Sequence, residues 1–256
     1  MNAKVLLSTG GRLLVLIAQL LLVQPLFAAQ ADYAREKRWA DEITPAILVG
    51  DPVQLILPAG RQFLGLYASN AKARAGLIIV HGLGVHPDWG LINVLRSQLS
   101  EQGYATLSIQ MPVLAAAAKG SEYPPLFPEA AERIAAAVKF LRDKGHQKIM
   151  IVSHSLGSRM SNHFFNSTAN SGVNAWVAIG LSGNYTRPET LKLPVLDLIG
   201  EKDLPAVLDN AAARADIIRR IPGSAQIQVP GANHFFEGMD KALVSNVRLF
   251  LDRQTR

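Results

Sequence analysis

Ser155 stands in the run Ser153-His154-Ser155-Leu156-Gly157, between a short apolar stretch and a stretch with helical patterning. A serine hydroxyl is a weak nucleophile until a base takes its proton, a third group orients that base, and N–H donors hold the developing oxyanion. Small residues two before and two after such a serine permit a tight strand-to-helix turn that lifts the hydroxyl clear of the sheet edge. Ser153 and Gly157 meet that need, although glycine is commoner than serine at the first position. The candidate base is His234, in Gly231-Ala232-Asn233-His234-Phe235, and the candidate acid is Asp203, in Gly200-Glu201-Lys202-Asp203. Glu201 and Asp197 compete for the acid's place. Separations of 48 residues (203 minus 155) and 31 (234 minus 203) leave room for one strand–helix unit each.

The oxyanion donors are sought after an earlier apolar run, in His81-Gly82-Leu83-Gly84. Gly82 and Gly84 free the backbone to turn its amides toward a substrate carbonyl, so the expected donors are the N–H groups of Leu83 and Leu156. His81 is expected to orient this loop through its side chain. His81 and His86, five apart across a glycine loop, do not have the helical spacing of a zinc motif, and neither a metal nor a cofactor is expected. Arg159, one turn beyond Ser155, either meets an anionic substrate or pairs with a surface acid, and the second reading is favoured.

These residues must be carried by a regular framework. Residues 53–57 and 63–68 predict an antiparallel pair closed by a turn at 58–61. Strands are then predicted at 76–80, 105–109, 148–152, 175–179, 195–199 and 225–229. Helices are predicted at 89–102 with Asp88 as N-cap, at 128–144 closed by Gly145, from Ser155 to about 167, at about 205–220 and at 238–253. Strands alternating with helices imply a mostly parallel sheet covered on both faces, with ligands bound beyond the carboxyl ends of the strands. Residues 112–128, with Pro112, Tyr123, Pro124, Pro125 and Phe127, read equally as a small cap or as an ordinary crossover. Residues 32–42 are charged and helix-compatible, an arm lying against the domain or left mobile.

The order Ser, Asp, His and the elbow and glycine-loop motifs make the chain resemble the α/β-hydrolase superfamily over nearly all of residues 32–256. The resemblance implies that fold, with little or no lid domain, and a nucleophile, acid and base in Ser155, Asp203 and His234. More narrowly, His86-Pro87-Asp88-Trp89 and the run from Gly103 to Pro112 are similar to a signal-bearing bacterial group of hydrolase-like proteins of unknown function.

The first 31 residues differ in kind from the rest. Lys4 and Arg12 precede an apolar run at 13–23 broken only by Gln19, and Ala29-Gln30-Ala31 matches the pattern that signal peptidase accepts. Cleavage after Ala31 and a periplasmic or secreted location are expected, with no stable membrane span in the remaining 225 residues (256 minus 31). Eleven apolar residues cover only about half of a ~30 Å hydrocarbon core. With 49% hydrophobic residues and no cysteine, the chain suits one domain without disulfides, and thiol chemistry is excluded. Its net charge of +6 falls to +4 without the leader, and no basic stripe with interleaved aromatics suggests nucleic acid. The expected function is an exported serine hydrolase, by default a carboxylic-ester hydrolase acting on a small-molecule or envelope-derived acyl substrate. Amide cleavage and acyl transfer use the same residues. The alternative from another class is a non-catalytic envelope protein of the same fold that binds or assembles.

Overall fold

Four strands whose residues are all buried run through the centre of the molecule, so both faces of their sheet must be covered. The computed structural model describes residues 30–255, and the leader-like stretch up to residue 29 lies outside the described residues. Asp32 caps the first helix, α1 (Tyr33–Ile43), accepting from the Arg35 amide at 2.9 Å. Strands β1 (Asp51–Ile56) and β2 (Gln62–Ala68) form an antiparallel hairpin. There follow β3 (Gly76–Val80), α2 (Gly90–Glu101), β4 (Ala105–Ile109), α3 (Phe127–Asp143), β5 (Ile149–His154) and α4 (Leu156–Ser167). The chain ends with β6 (Ala175–Ile179), β7 (Val195–Lys202), α5 (Pro205–Leu208), α6 (Ala211–Ile218), β8 (Ala225–Asn233) and α7 (Asp240–Thr255).

The eight strands make one sheet in the order β1-β2-β4-β3-β5-β6-β7-β8, parallel from β4 to β8. Alternate residues of each strand feed two separate cores. Ile78 and Val80 of β3 join Ile134 and Leu141 of α3 and Met160 and Phe164 of α4 on one face. Leu77 and Ile79 join Leu95 and Leu99 of α2 and Val247 and Leu251 of α7 on the other. From β3 the chain winds first to β4 and then back to β5 on the opposite side. This reversal opens a crevice beyond the carboxyl ends of β3 and β5, where the loop from His81 and the turn at Ser155 emerge side by side.

Several boundaries differ from the sequence expectation for identifiable reasons. Asp88 does not cap α2; its carboxylate instead takes Asn93 Nδ2 and Arg96 Nε, and Trp89 occupies the cap position without a side-chain bond. The helix expected over 205–220 breaks into α5 and α6, because buried Arg214 spends one guanidinium nitrogen on the carbonyls of Val207 and Gly183. β7 and β8 run several residues longer than expected and pair as far as Lys202 and Asn233. Residues 112–128 make two short 3-10 turns that pass directly into α3, with Tyr123, Leu126 and Phe127 buried, so they are a packed crossover and not a lid. Among the described residues no helix is long and apolar enough to cross a membrane.

The 32–42 arm lies against the domain as α1. Its Glu36 is buried and pairs with Arg133 of α3 at 2.9 Å, while the same guanidinium holds Glu129 at 2.6 Å and the Gln110 carbonyl at 2.9 Å. Removing the arginine would leave Glu36 buried without its counter-charge, a loss that costs about 3 kcal/mol or more. Arg133→Ala is therefore expected to lower the stability to urea by about that amount, and a loss under about 1 kcal/mol would show the network to be ornamental.

Candidate active site

β5 delivers Ser155 at φ 54° and ψ −122°, a left-handed conformation that a side chain bearing Cβ adopts only under constraint. Two features impose it. The Ser155 amide donates to the Ile179 carbonyl at the end of β6 at 2.8 Å, so it is fixed to the neighbouring strand. Two residues on, Gly157 sits against the loop after β3, where a Cβ would fall 2.3 Å from the His81 carbonyl oxygen. The serine at the first elbow position also has a physical reason. Ser153 Oγ, fully buried, accepts from Trp176 Nε1 at 2.8 Å and lies 3.1 Å from Ser158 Oγ, so its hydroxyl ties β5, β6 and α4 together where a glycine could not.

β7 and β8 bring the other two groups to the same edge. His234 Nε2 lies 2.9 Å from Ser155 Oγ, and its Nδ1 lies 2.6 Å from Asp203 Oδ1. Asp203 also accepts from the Leu204 amide at 2.8 Å and the Gly200 amide at 3.2 Å. Burial pushes the Asp203 carboxyl up, but the hydrogen bond and charge of His234 and the two amides outweigh it and hold it below the usual carboxylate range. Behind the imidazole stands Gly180, at φ 58°; a Cβ there would meet His234 Cε1 at 2.9 Å. The competing carboxylates are engaged elsewhere: Asp197 is buried against Arg214 at 2.8 Å and Gln226 at 2.7 Å, and Glu201 accepts from the Gly231 amide at 2.7 Å.

The loop from His81 to Gly84 crosses the elbow. His81 is completely buried, its Nδ1–H donating to the Gly82 carbonyl at 2.9 Å and its Nε2 accepting from the Met111 amide at 2.8 Å, which fixes one neutral tautomer. The amides of Leu83 and Leu156 donate to no other group among the described residues, and the Leu83 side chain faces solvent. The far side of the loop is braced by α1: Arg35 donates to the Gly84 carbonyl at 3.1 Å and to the Leu114 carbonyl at 2.7 Å while stacking on Trp39. Nothing in the sequence marked Arg35 for this task, because its partners are backbone atoms 49 and 79 residues away. Among the described residues Arg159 has no acid partner, contrary to the favoured expectation.

Nor does the sequence mark His154 for the structural role it has. It is buried beneath His234, its ring 4.7 Å away, and its Nε2–H donates to the His234 backbone carbonyl at 2.9 Å. It thereby holds the loop that carries His234. Burial pushes His81 and His154 down to about 3, so both are neutral in the fold and become protonated near 6.5 once it opens. Each stabilises the fold fully above about pH 6.5, and that contribution is lost as the pH falls from there toward 3, at up to about 1.4 kcal/mol per pH unit per residue. Urea midpoints are expected to fall steadily from pH 7 to pH 4.5, and less steeply in His154→Gln. A flat wild-type profile, or an unchanged slope in the variant, would contradict this.

With the geometry in view, the comparisons with known proteins are informative about fold. Residues 13–131 match a family model described as a protein of unknown function, DUF3530. No curated protein matches the chain. Solved structures do. Dienelactone hydrolase from Anabaena variabilis superposes with a TM-score of 0.65 at 20% identity, covering 79% of this chain and 96% of that one. The Pyrococcus furiosus esterase Pf2001 gives 0.66 at 14% identity over 79% and 90%. XC6422 from Xanthomonas campestris, described as a serine hydrolase without lid, gives 0.63 at 13% identity over 81% and 95%. The sheet order, the helices on both faces and these superpositions together establish that the chain has the α/β-hydrolase fold.

Proposed function

We propose that the protein is an exported serine hydrolase that cleaves carboxylic esters through an acyl-enzyme intermediate. The observation that carries this reading is the placement of one imidazole within hydrogen-bond reach of a serine hydroxyl on one side and a carboxylate on the other. In the first half-reaction Ser155 Oγ attacks the acyl carbon as His234 Nε2 takes its proton. The tetrahedral oxyanion is held by the amides of Leu83 and Leu156, and His234 then returns the proton to the departing alcohol. Water repeats the sequence on the acyl-enzyme and regenerates Ser155. Asp203, charged and held by three donors, fixes the imidazole with Nδ1–H toward itself and stabilises the imidazolium that forms.

Export follows the leader-like N-terminus. Cleavage after Ala31 makes Asp32 the first residue; its amide nitrogen donates to the Val113 carbonyl at 2.7 Å and its carboxylate still caps α1.

The test is hydrolysis of para-nitrophenyl esters of increasing acyl length by the purified mature protein. Ser155→Ala is expected to abolish turnover with the fold intact by circular dichroism, and Asp203→Asn to lower kcat about 10⁴-fold by freeing the wrong imidazole tautomer. Turnover retained in Ser155→Ala would overturn the assignment.

A further inference from the structure

Among the described residues every other arginine removed from full contact with water meets at least one carboxylate or carbonyl acceptor, and Arg159 meets none. Arg96, Arg133 and Arg214 meet carboxylates, and Arg35 and Arg142 meet backbone carbonyls. Arg159 is half-buried and lies over the Phe127 ring at 5.5 Å from its centroid, with no carboxylate or carbonyl partner among the described residues. A guanidinium has five N–H donors, and moving it out of water without acceptors is unfavourable. Burial pushes it down from its ordinary value.

Arg159 lines a cavity of about 550 Å³ whose wall contains no aspartate or glutamate. On α4 the wall continues with Asn162 and His163, and opposite stand Ser182, Asn184 and Asn210. The side chains of these last three make no hydrogen bond to another described residue, so their polar groups are free to face a ligand. Asn162 is 3% exposed, with Nδ2 donating to Thr186 Oγ1 at 3.1 Å and Oδ1 lacking any partner. Thr186 Oγ1 also accepts from Asn166 Nδ2 at 2.5 Å.

The cavity adjoins the catalytic edge. Arg159 follows Ser155 by four residues on α4, about 6 Å along the helix axis at 1.5 Å per residue. The far wall includes Ala206, three residues after Asp203.

We infer that this cavity is a subsite for an oxyanion borne by the substrate, of the carboxylate or phosphoryl kind, with Arg159 as its charged anchor and the side chains of Ser182, Asn184 and Asn210 as further polar groups on the opposite wall. The inference rests on the serine-hydrolase reading for its place in turnover, but anion binding itself needs neither Ser155 nor His234. A planar guanidinium offers two parallel N–H groups to such a group, which selects charged substrates over neutral ones of the same length.

The experiment is calorimetric titration of the mature protein with succinate and, separately, with inorganic phosphate. The wild type and Ser155→Ala are expected to bind one of the two saturably, and the tighter one identifies the anion class. Arg159→Met is expected to weaken that binding at least tenfold, with Arg159→Lys falling between. Melting temperatures without anion check that the Arg159 variants fold, and the anion-induced rise seen in wild type is expected to vanish in Arg159→Met. Saturable binding of neither anion, or equal affinity in Arg159→Met, would overturn the inference. Anion binding in a folded preparation whose Ser155 takes up no fluorophosphonate adduct would sink the serine-hydrolase reading and leave the subsite standing; adduct formation without anion binding would sink the subsite alone.

Discussion

The structure turns on one strained residue. Ser155 occupies the left-handed region between β5 and α4, a conformation that costs on the order of 1–3 kcal/mol for a residue with a Cβ. It persists because its surroundings leave no alternative. Its amide is committed to the Ile179 carbonyl, and the loop after β3 passes so close to Gly157 that no larger residue fits. The hydrogen-bonded buried hydroxyl of Ser153 locks the base of the turn. The parallel register of β3, β5 and β6 is what brings these groups to one place, with Val80 opposite Ser153 and His154 opposite Ile179. Loss of that register would release the turn and move the hydroxyl away from His234.

Electrostatics around the turn divide cleanly. Two imidazoles, His81 and His154, are stripped of water and kept neutral so that they can act as oriented hydrogen-bonding struts, one for the loop after β3 and one for the loop after β8. The third, His234, faces Ser155 with a charged carboxylate at its back. The buried ion pairs lie farther out, Arg133 with Glu36 and Glu129 beneath α1, and Arg214 with Asp197 beneath the loop after β6. Each fixes an element that frames the crevice.

What could be read from the sequence was local. The elbow, the glycine loop and the loops carrying Asp203 and His234 are short patterns whose residue types follow from the turn each must make, and the alternation of strands and helices fixed their common edge. What could not be read depended on pairing across the chain. Asp197, Glu201 and Asp203 sit within seven residues of one another and look alike in sequence; only Arg214 and Gln226 arriving at Asp197, and the Gly231 amide at Glu201, separate their tasks. Likewise the break between α5 and α6 is set by Arg214 reaching back for carbonyls, and helical periodicity alone runs straight through it. The 32–42 arm was helix-compatible by composition, but its contact with the Gly84 carbonyl through Arg35 is a matter of tertiary packing.

The central claim is that Ser155 is an activated nucleophile. Intact-mass analysis after exposure of the mature protein to a fluorophosphonate measures this without knowledge of the natural substrate. The account predicts a single adduct that is absent in Ser155→Ala. A folded wild-type protein that takes up no adduct, or an adduct that persists in the variant, would contradict it.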